Sequence, residues 1–322
     1  MQLPTLPEIE KAQKTVYRTM PPTPQFTWPL LNQRAGTEVW VKHENHSPAG
    51  AFKLRGALVY ASWLKEAHPE IQTLVAATRG NHGQGVAMAA RHFGLHAIIV
   101  VPHGNSKDKN RAMQAQGAEL IEYGDDFQAS LEYARSLADR PGFGMVDSFH
   151  PCLVMGTATY ALEFFRTTPA LATIYVPIGL GSSICGVSAA RNALGLSTEI
   201  VGVVAASSPS YALSFRERRI VEFPSSTEIA DGLACRLPNS DAMKVIWDNV
   251  ARIVEVSDAE IASAMRALYE DTHNLAEGAA GAALAGALKE KEGRRSQSPI
   301  GIVLTGGNID RDLYTRVLEG SL

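Results

Sequence analysis

An α/β fold with two open, twisted parallel sheets is predicted by three features of the chain: short apolar runs alternate with helix-patterned segments, glycine turns follow several of those runs, and no internal repeat is present. The first runs are Thr73–Ala77, Ala97–Val101 and Glu119–Glu122. A helix face of Val86, Ala89, Ala90 and Phe93 lies between the first two, and a helix over Lys107–Gln116 precedes the third. This βαβαβ unit makes one sheet. The alternation resumes with Ile174–Pro177, a helix from about Ile184, then Glu199–Val204, Arg252–Val256 and Ile300–Leu304 before a last helix, and this makes the second sheet. Ser257 and Glu260 form a capping box ahead of Ile261, Ala264, Met265 and Leu268. Pro21–Pro24 reads as an extended segment, and the polar stretch Glu290–Ser298 as a loop.

The 322 residues are 45% hydrophobic and 20% charged, ordinary for a globular enzyme, with a net charge of -3 and no long basic run. That excludes an electrostatic footprint for nucleic acid or an anionic membrane and leaves small molecules as partners. No uncharged segment is long enough to span a bilayer, and Glu8 and Glu10 stand where an export signal would be basic. Cys152, Cys185 and Cys235 are odd in number and widely spaced, which fits neither a disulfide framework nor a zinc site. A cytoplasmic protein is expected.

Chemistry concentrates at one lysine and three turns. Lys53 falls on the first turn of a helix-forming run beside Phe52, with no carboxylate from Ser47 through Ala61. Desolvation and the helix dipole both favour its neutral amine, the form that attacks carbonyls and makes a Schiff base. After Thr73–Ala77, the turn Arg79-Gly80-Asn81-His82-Gly83 opens into a helix whose free N–H groups suit a substrate carboxylate. After Ile174–Val176, the loop Gly179-Leu180-Gly181-Ser182-Ser183 offers amides, hydroxyls and a helix N-terminus to a phosphate monoester. A nicotinamide-dependent oxidoreductase is the alternative from another class, although a dinucleotide loop wants glycine where Ile184 stands and Glu199 is a loose candidate for a ribose-binding acid. Thr305 ends the last strand, at the sheet edge where open α/β folds bind ligands.

In this order, the lysine segment, Gly80-Asn81-His82-Gly83-Gln84, Gly179–Ser183, Ile229-Ala230-Asp231-Gly232, Glu277-Gly278-Ala279-Ala280-Gly281 and Thr305-Gly306-Gly307-Asn308 resemble the fold-type II pyridoxal-phosphate enzymes, and more narrowly the serine/threonine dehydratases. The resemblance implies a tryptophan synthase β-like fold: a small domain, residues 49–148, inserted in a large one, residues 1–48 plus 149–322. It implies pyridoxal 5'-phosphate as cofactor, a homodimer, and β-elimination of a β-hydroxy amino acid such as threonine, serine or 3-hydroxyaspartate to a 2-oxo acid and ammonia. Lys53 then holds the cofactor and removes the α-proton. Phe52 packs against the ring, Asn81 bonds the cofactor's 3-oxygen, and Gly179, Leu180, Gly181, Ser182 and Ser183 hold its phosphate. Thr305 faces the pyridine nitrogen with a hydroxyl, leaving a weaker electron sink that favours loss of the β-hydroxyl over transamination. Arg79, Gly80, Asn81, His82 and Gly83 meet the substrate, the His82 ring itself capping local backbone. Glu277 is left between a place near the ring and a helix cap.

Departures from the family pattern narrow the expectation. Ala51 replaces a serine and Leu180 sits inside the glycine loop, both tolerable where backbone does the binding. Arg79 stands where many relatives carry the serine used in racemisation, so racemisation is not expected. It either salt-bridges across the cleft or pairs with a second carboxylate on the substrate. No Asp or Glu occurs between Ile200 and Arg216, so no divalent metal is expected at the site that metal-activated relatives use there. The chain ends soon after Thr305, and feedback by isoleucine through a regulatory domain is not expected. A β-replacement enzyme, such as a cysteine or threonine synthase relative, is the alternative on the same fold.

Overall fold

Runs of β-branched residues bounded by glycine, proline or polar turns become strands, and the segments between them become helices. The computed structural model describes residues 1–293 and 298–322. Its strands are β1 (Gln25–Thr27), β2 (Val39–His43), β3 (Thr73–Ala77), β4 (His96–Val101), β5 (Glu119–Glu122), β6 (Phe143–Met145), β7 (Thr173–Pro177), β8 (Glu199–Ala205), β9 (Arg252–Val256) and β10 (Ile300–Leu304). The helices are α1 (Leu6–Val16), α2 (Pro29–Ala35), α3 (Lys53–Ala67), α4 (Asn81–Phe93), α5 (Lys107–Ala115), α6 (Phe127–Ala138), α7 (Pro151–Thr167), α8 (Ser182–Ala193), α9 (Ser210–Glu217), α10 (Ser240–Asn249), α11 (Asp258–Thr272), α12 (Gly278–Lys289) and α13 (Arg311–Glu319).

One sheet is four-stranded in the order β5-β4-β3-β6 and wholly parallel. The other is six-stranded, β1-β2-β10-β7-β8-β9, and departs from the expected parallel sheet only at its edge, where β1 runs antiparallel to β2 with Gln25 opposite Lys42. The cause is the connection. Residues 28–38, containing α2 and its left-handed cap Gly36, join the two strands, too short a path for a crossover that would return the chain parallel. β10 is buried at every residue between β2 and β7, as an interior strand of a layered α/β core should be.

Several expected bounds coincide with the structure, among them Thr73–Ala77, Glu119–Glu122, Arg252–Val256 and Ile300–Leu304. The helix expected from about Ile184 starts at Ser182. The capping box is formed, with Glu260 accepting from Ser257 N at 2.7 Å and Ser257 Oγ accepting from Glu260 N at 3.2 Å. Of the loop expected over Glu290–Ser298, residues 290–293 form a turn and residues 294–297 lie outside the described residues. The carboxyl ends of β3, β7 and β10 carry the three turns singled out above.

Candidate active site

The segment before α3 is stitched to the end of β10: Phe52 N donates to the Thr305 carbonyl at 3.0 Å, Gly307 N to the Gly50 carbonyl at 2.9 Å, and Ala51 bridges Gly306. Two residues into α3, the wholly buried Arg55 donates to Glu44 at 2.8 and 3.0 Å and to Glu163 at 2.6 and 2.9 Å. Lys42 adds a bond to Glu163 at 2.6 Å. Two buried cations thus face two buried carboxylates, which holds the first turn of α3 in place. Burial opposes ionisation of Glu163, but Arg55 and Lys42 keep its carboxyl below the usual range.

Lys53 extends from that anchored turn to Ser182, its Nζ 3.3 Å from the Oγ and 4.8 Å from the Phe52 ring centre. Loss of solvent lowers its pKa to about 8, against an opposing pull from Glu277. This refines the expectation drawn from the lack of a carboxylate from Ser47 through Ala61. The flanking sequence has no carboxylate, and the tertiary fold brings one.

The loop Gly179–Ser183 runs into α8 with Gly181 in the left-handed region at φ 96°, and Ser182 and Ser183 buried at the helix start. Gly179 lies on the Gly232 carbonyl so closely that any side chain there would collide with it, which gives Ile229–Gly232 its place as a brace behind the loop. Ser183 Oγ is 2.7 Å from the buried Tyr160 hydroxyl, whose ring meets Phe52 edge-on at 6.2 Å. Ile184, where a dinucleotide loop needs glycine, is fully buried in the core.

At the start of α4, Asn81 Nδ2 lies 2.7 and 2.9 Å from the two oxygens of Glu277. Glu277 stands at the N-cap position of α12 yet makes no capping bond; its side chain is turned away to Asn81, which overturns the helix-cap reading of that residue. Burial raises its pKa to about 7, with Asp231 adding to the rise and Lys109, Asn81 and Lys53 opposing it. Asn308 Nδ2 donates to Asn81 Oδ1 at 2.8 Å and to the Ala49 carbonyl at 2.9 Å. Thr305 is buried and its Oγ1 has no hydrogen-bond partner among the described residues. An orphaned hydroxyl at a strand end is costly in a folded chain and marks a place where a ligand atom supplies the bond.

The rest of the Arg79–Gly83 turn divides. His82 is buried, its Nε2 3.0 Å from the Val146 carbonyl, and burial lowers its pKa to about 4, so it is a neutral histidine satisfied by backbone. Gly83 lies against Thr78 and Met113, where a side chain would not fit, and Gly80 lies against the stem of Lys109. Arg79 is exposed and makes no ion pair or hydrogen bond among the described residues; the salt bridge weighed for it is not formed. It lines a cavity of about 360 Å³ with His103, Lys109, Asp231, Glu277, Asn308 and others. Lys53 is not in that lining. Glu277, which faces both the cavity and the charge of Lys53, links the two. Lys109 pairs with Asp231, Ser106 bonds Asp310 and His103 meets Asp125, so most acids of the cavity wall have partners of their own.

Sequence reasoning missed the Arg55 cluster, the hold of Asn308 on Asn81 and the Lys109–Asp231 pair. Only a carboxylate ahead of the small-residue helix Gly278-Ala279-Ala280-Gly281 hinted at the buried place of Glu277. Among the described residues no helix is long and apolar enough to cross a membrane, and no group of three or more His, Cys, Asp or Glu is placed to hold a metal.

A buried amine, an amide-lined helix start and an orphaned hydroxyl are the donor set that pyridoxal 5'-phosphate requires, and the family model for pyridoxal-phosphate dependent enzymes matches residues 16–306. The chain belongs to this family. Its cofactor is pyridoxal 5'-phosphate. It is 32% identical over 319 residues to an L-threonine ammonia-lyase of Thermotoga maritima, covering 99% of this chain and 79% of that one. To an L-threo-3-hydroxyaspartate ammonia-lyase of Saccharomyces cerevisiae it is 31% identical over 321 residues, covering 99% and 98%. Among solved structures it is similar to the processed form of threonine deaminase isoform 2 from Solanum lycopersicum, with a TM-score of 0.90, 26% identity and coverage of 99% and 96%.

Proposed function

We propose that this family member is an ammonia-lyase that removes water from a β-hydroxy amino acid and releases a 2-oxo acid and ammonia, with Lys53 as its catalytic base. The observation that carries the assignment is Lys53 itself: a solvent-poor amine with its pKa near 8, aimed at the start of α8. Pyridoxal 5'-phosphate, when bound, supplies a carbonyl for amines and a ring that withdraws electrons from the substrate's α-carbon. The chain's part is to hold and to move protons. Gly179, Leu180, Gly181, Ser182 and Ser183 bind the phosphate through backbone amides, with Ser183 pre-set by Tyr160. Phe52 would pack on the ring, Asn81 would donate to the 3-oxygen, and Thr305, whose hydroxyl has no partner among the described residues, would offer it to the pyridine nitrogen. The amides that open α4, at Gly80 to Gly83, receive the substrate's α-carboxylate. Lys53 would take the α-proton, the β-hydroxyl would leave with one proton as water, and one water taken up again in cleaving the C–N bond gives the net products, 2-oxo acid and ammonia.

Arg79 extends this reading to the side chain. An exposed guanidinium without a partner among the described residues, on the wall of the cavity beside Glu277, suits a substrate with a second carboxylate, and that favours 3-hydroxyaspartate over threonine and serine. The site works between a small domain, residues 49–148, and a large domain made of residues 1–48 and 149–322; the origin of the four-stranded sheet in residues 73–145 supports that division. A cytoplasmic homodimer completes the proposal. Three free, buried cysteines fit a reducing compartment, and Phe26 on edge strand β1 and Leu30 on α2, 48% and 53% exposed, offer an apolar contact for a second copy. Ammonia release from a panel of β-hydroxy amino acids, with both β-configurations and acidic and neutral side chains represented, tests the activity and ranks the substrates; no release from any member would overturn it.

A further inference from the structure

A side-chain amide can offer a bound molecule either an N–H or a carbonyl oxygen, and the neighbours of Asn81 leave it no choice. The Ala49 carbonyl can only accept, and Asn308 Nδ2 lies 2.9 Å from it, which establishes the donor end of the Asn308 amide. That same nitrogen lies 2.8 Å from Asn81 Oδ1, so the Asn81 oxygen is taken. Asn81 Nδ2 is thereby turned to Glu277, 2.7 and 2.9 Å from its two oxygens. The two oxygens of one carboxylate subtend too narrow an angle at that nitrogen to use both of its hydrogens, which diverge at the trigonal angle. One hydrogen serves Glu277. The other has no acceptor among the described residues.

We propose that Glu277 and Asn308 are positioning residues that clamp the Asn81 amide, so that its free N–H is the group presented to the 3-oxygen of the cofactor. The inference rests on the reading of Asn81 given above and adds what decides its direction. The clamp joins three separate pieces of chain: Asn81 opens α4, Glu277 precedes α12, and Asn308 follows β10. Each is braced in turn. Glu277 N donates to the Gly306 carbonyl at 3.0 Å, Glu277 Oε1 sits over Gly306, where a side chain would displace it, and Lys109, paired with Asp231, lies on the cavity side. A donor stabilises an ionised oxygen, whereas a reversed amide would present its own oxygen and select the protonated form. The clamp therefore sets the protonation state of a group that the chain does not itself contain.

The absorbance of the holoenzyme reads that state directly. With pyridoxal 5'-phosphate loaded, Glu277→Ala and Asn308→Asp are expected to move intensity from the visible band toward the near-ultraviolet. They should also lower kcat by about tenfold with little change in KM, the worth of one lost hydrogen bond. Glu277→Gln keeps an acceptor facing Asn81 and should keep the wild-type band. Asn81→Asp, which has no N–H to give, should show the shift most strongly. If Glu277→Ala does not fold, Asn308→Asp against Glu277→Gln carries the same contrast. Wild-type bands in both Glu277→Ala and Asn308→Asp, with cofactor retained, overturn the clamp even if Asn81→Asp shifts. A wild-type protein that takes up no cofactor overturns the reading of the site instead.

Discussion

Lys53 Nζ lies 3.3 Å from Ser182 Oγ, so the first residue of α3 points at the first residue of α8. Two helix N-termini, each carrying partial positive charge, converge on one amine. Loss of solvent is the larger influence and the nearby Glu277 opposes it, leaving the pKa at about 8. The rate at which cofactor-free protein takes up pyridoxal 5'-phosphate should therefore rise with pH and level off above about 8, since only the neutral amine attacks. Stopped-flow absorbance checks this, and a rate still climbing toward 10.5, the ordinary lysine value, would contradict it.

Thr305 carries a buried hydroxyl without a hydrogen-bond partner among the described residues. Removing it should cost the cofactor-free fold nothing, because an unsatisfied buried group is a liability, while cofactor affinity falls by up to about tenfold. Melting temperatures of both forms of Thr305→Ala, together with an absorbance titration, separate the two effects. Thr305→Asp should protonate the pyridine nitrogen and increase transamination products; an unchanged spectrum and product ratio would remove Thr305 from that nitrogen.

For Arg79, the comparison of substrates is decisive. A bidentate guanidinium–carboxylate pair contributes roughly 1.5–3 kcal/mol, so Arg79→Ser should lower kcat/KM on 3-hydroxyaspartate about ten- to a hundredfold more than on serine or threonine. Equal losses would assign Arg79 to structure and return the neutral substrates to first place.

Arg55 faces Glu44 and Glu163 in the interior, and Arg55→Leu would leave both carboxylates without it. A destabilisation of about 3–5 kcal/mol is expected in denaturant unfolding at neutral pH. Arg55 and Lys42 hold the Glu163 carboxyl below its ordinary value of 4.5 in the folded chain. Its contribution is thus complete above that pH and disappears as acid protonates it, so the gap between wild type and variant should narrow as pH falls below about 4.5. A gap independent of pH would show that the loss comes from packing.

Local signals made the strands and turns legible. Five-residue runs such as Thr73–Ala77 and Ile300–Leu304 are mostly apolar, carry β-branched residues and are bounded by polar residues or proline, and they have the expected limits. Edge strand β1 was not legible, because Gln25–Thr27 is three residues long and owes its order to pairing with Lys42, Val41 and Trp40. The same holds inside the site. Lys53 announces itself through its neighbours in sequence, whereas the link from Asn308 to Asn81 to Glu277 joins residues 227 and 196 positions apart and exists only in the fold. The Arg55 cluster, spanning Thr23 to Glu163, was hidden for the same reason.

Incubating the cofactor-loaded protein with 3-hydroxyaspartate, serine or threonine and no added nucleophile, and measuring ammonia and 2-oxo acid together, separates β-elimination from β-replacement. The account predicts the two products in equal amounts, and the loss of both in Lys53→Ala along with the visible cofactor band. Turnover that appears only when a nucleophile such as sulfide is supplied would contradict it and identify a β-replacement enzyme.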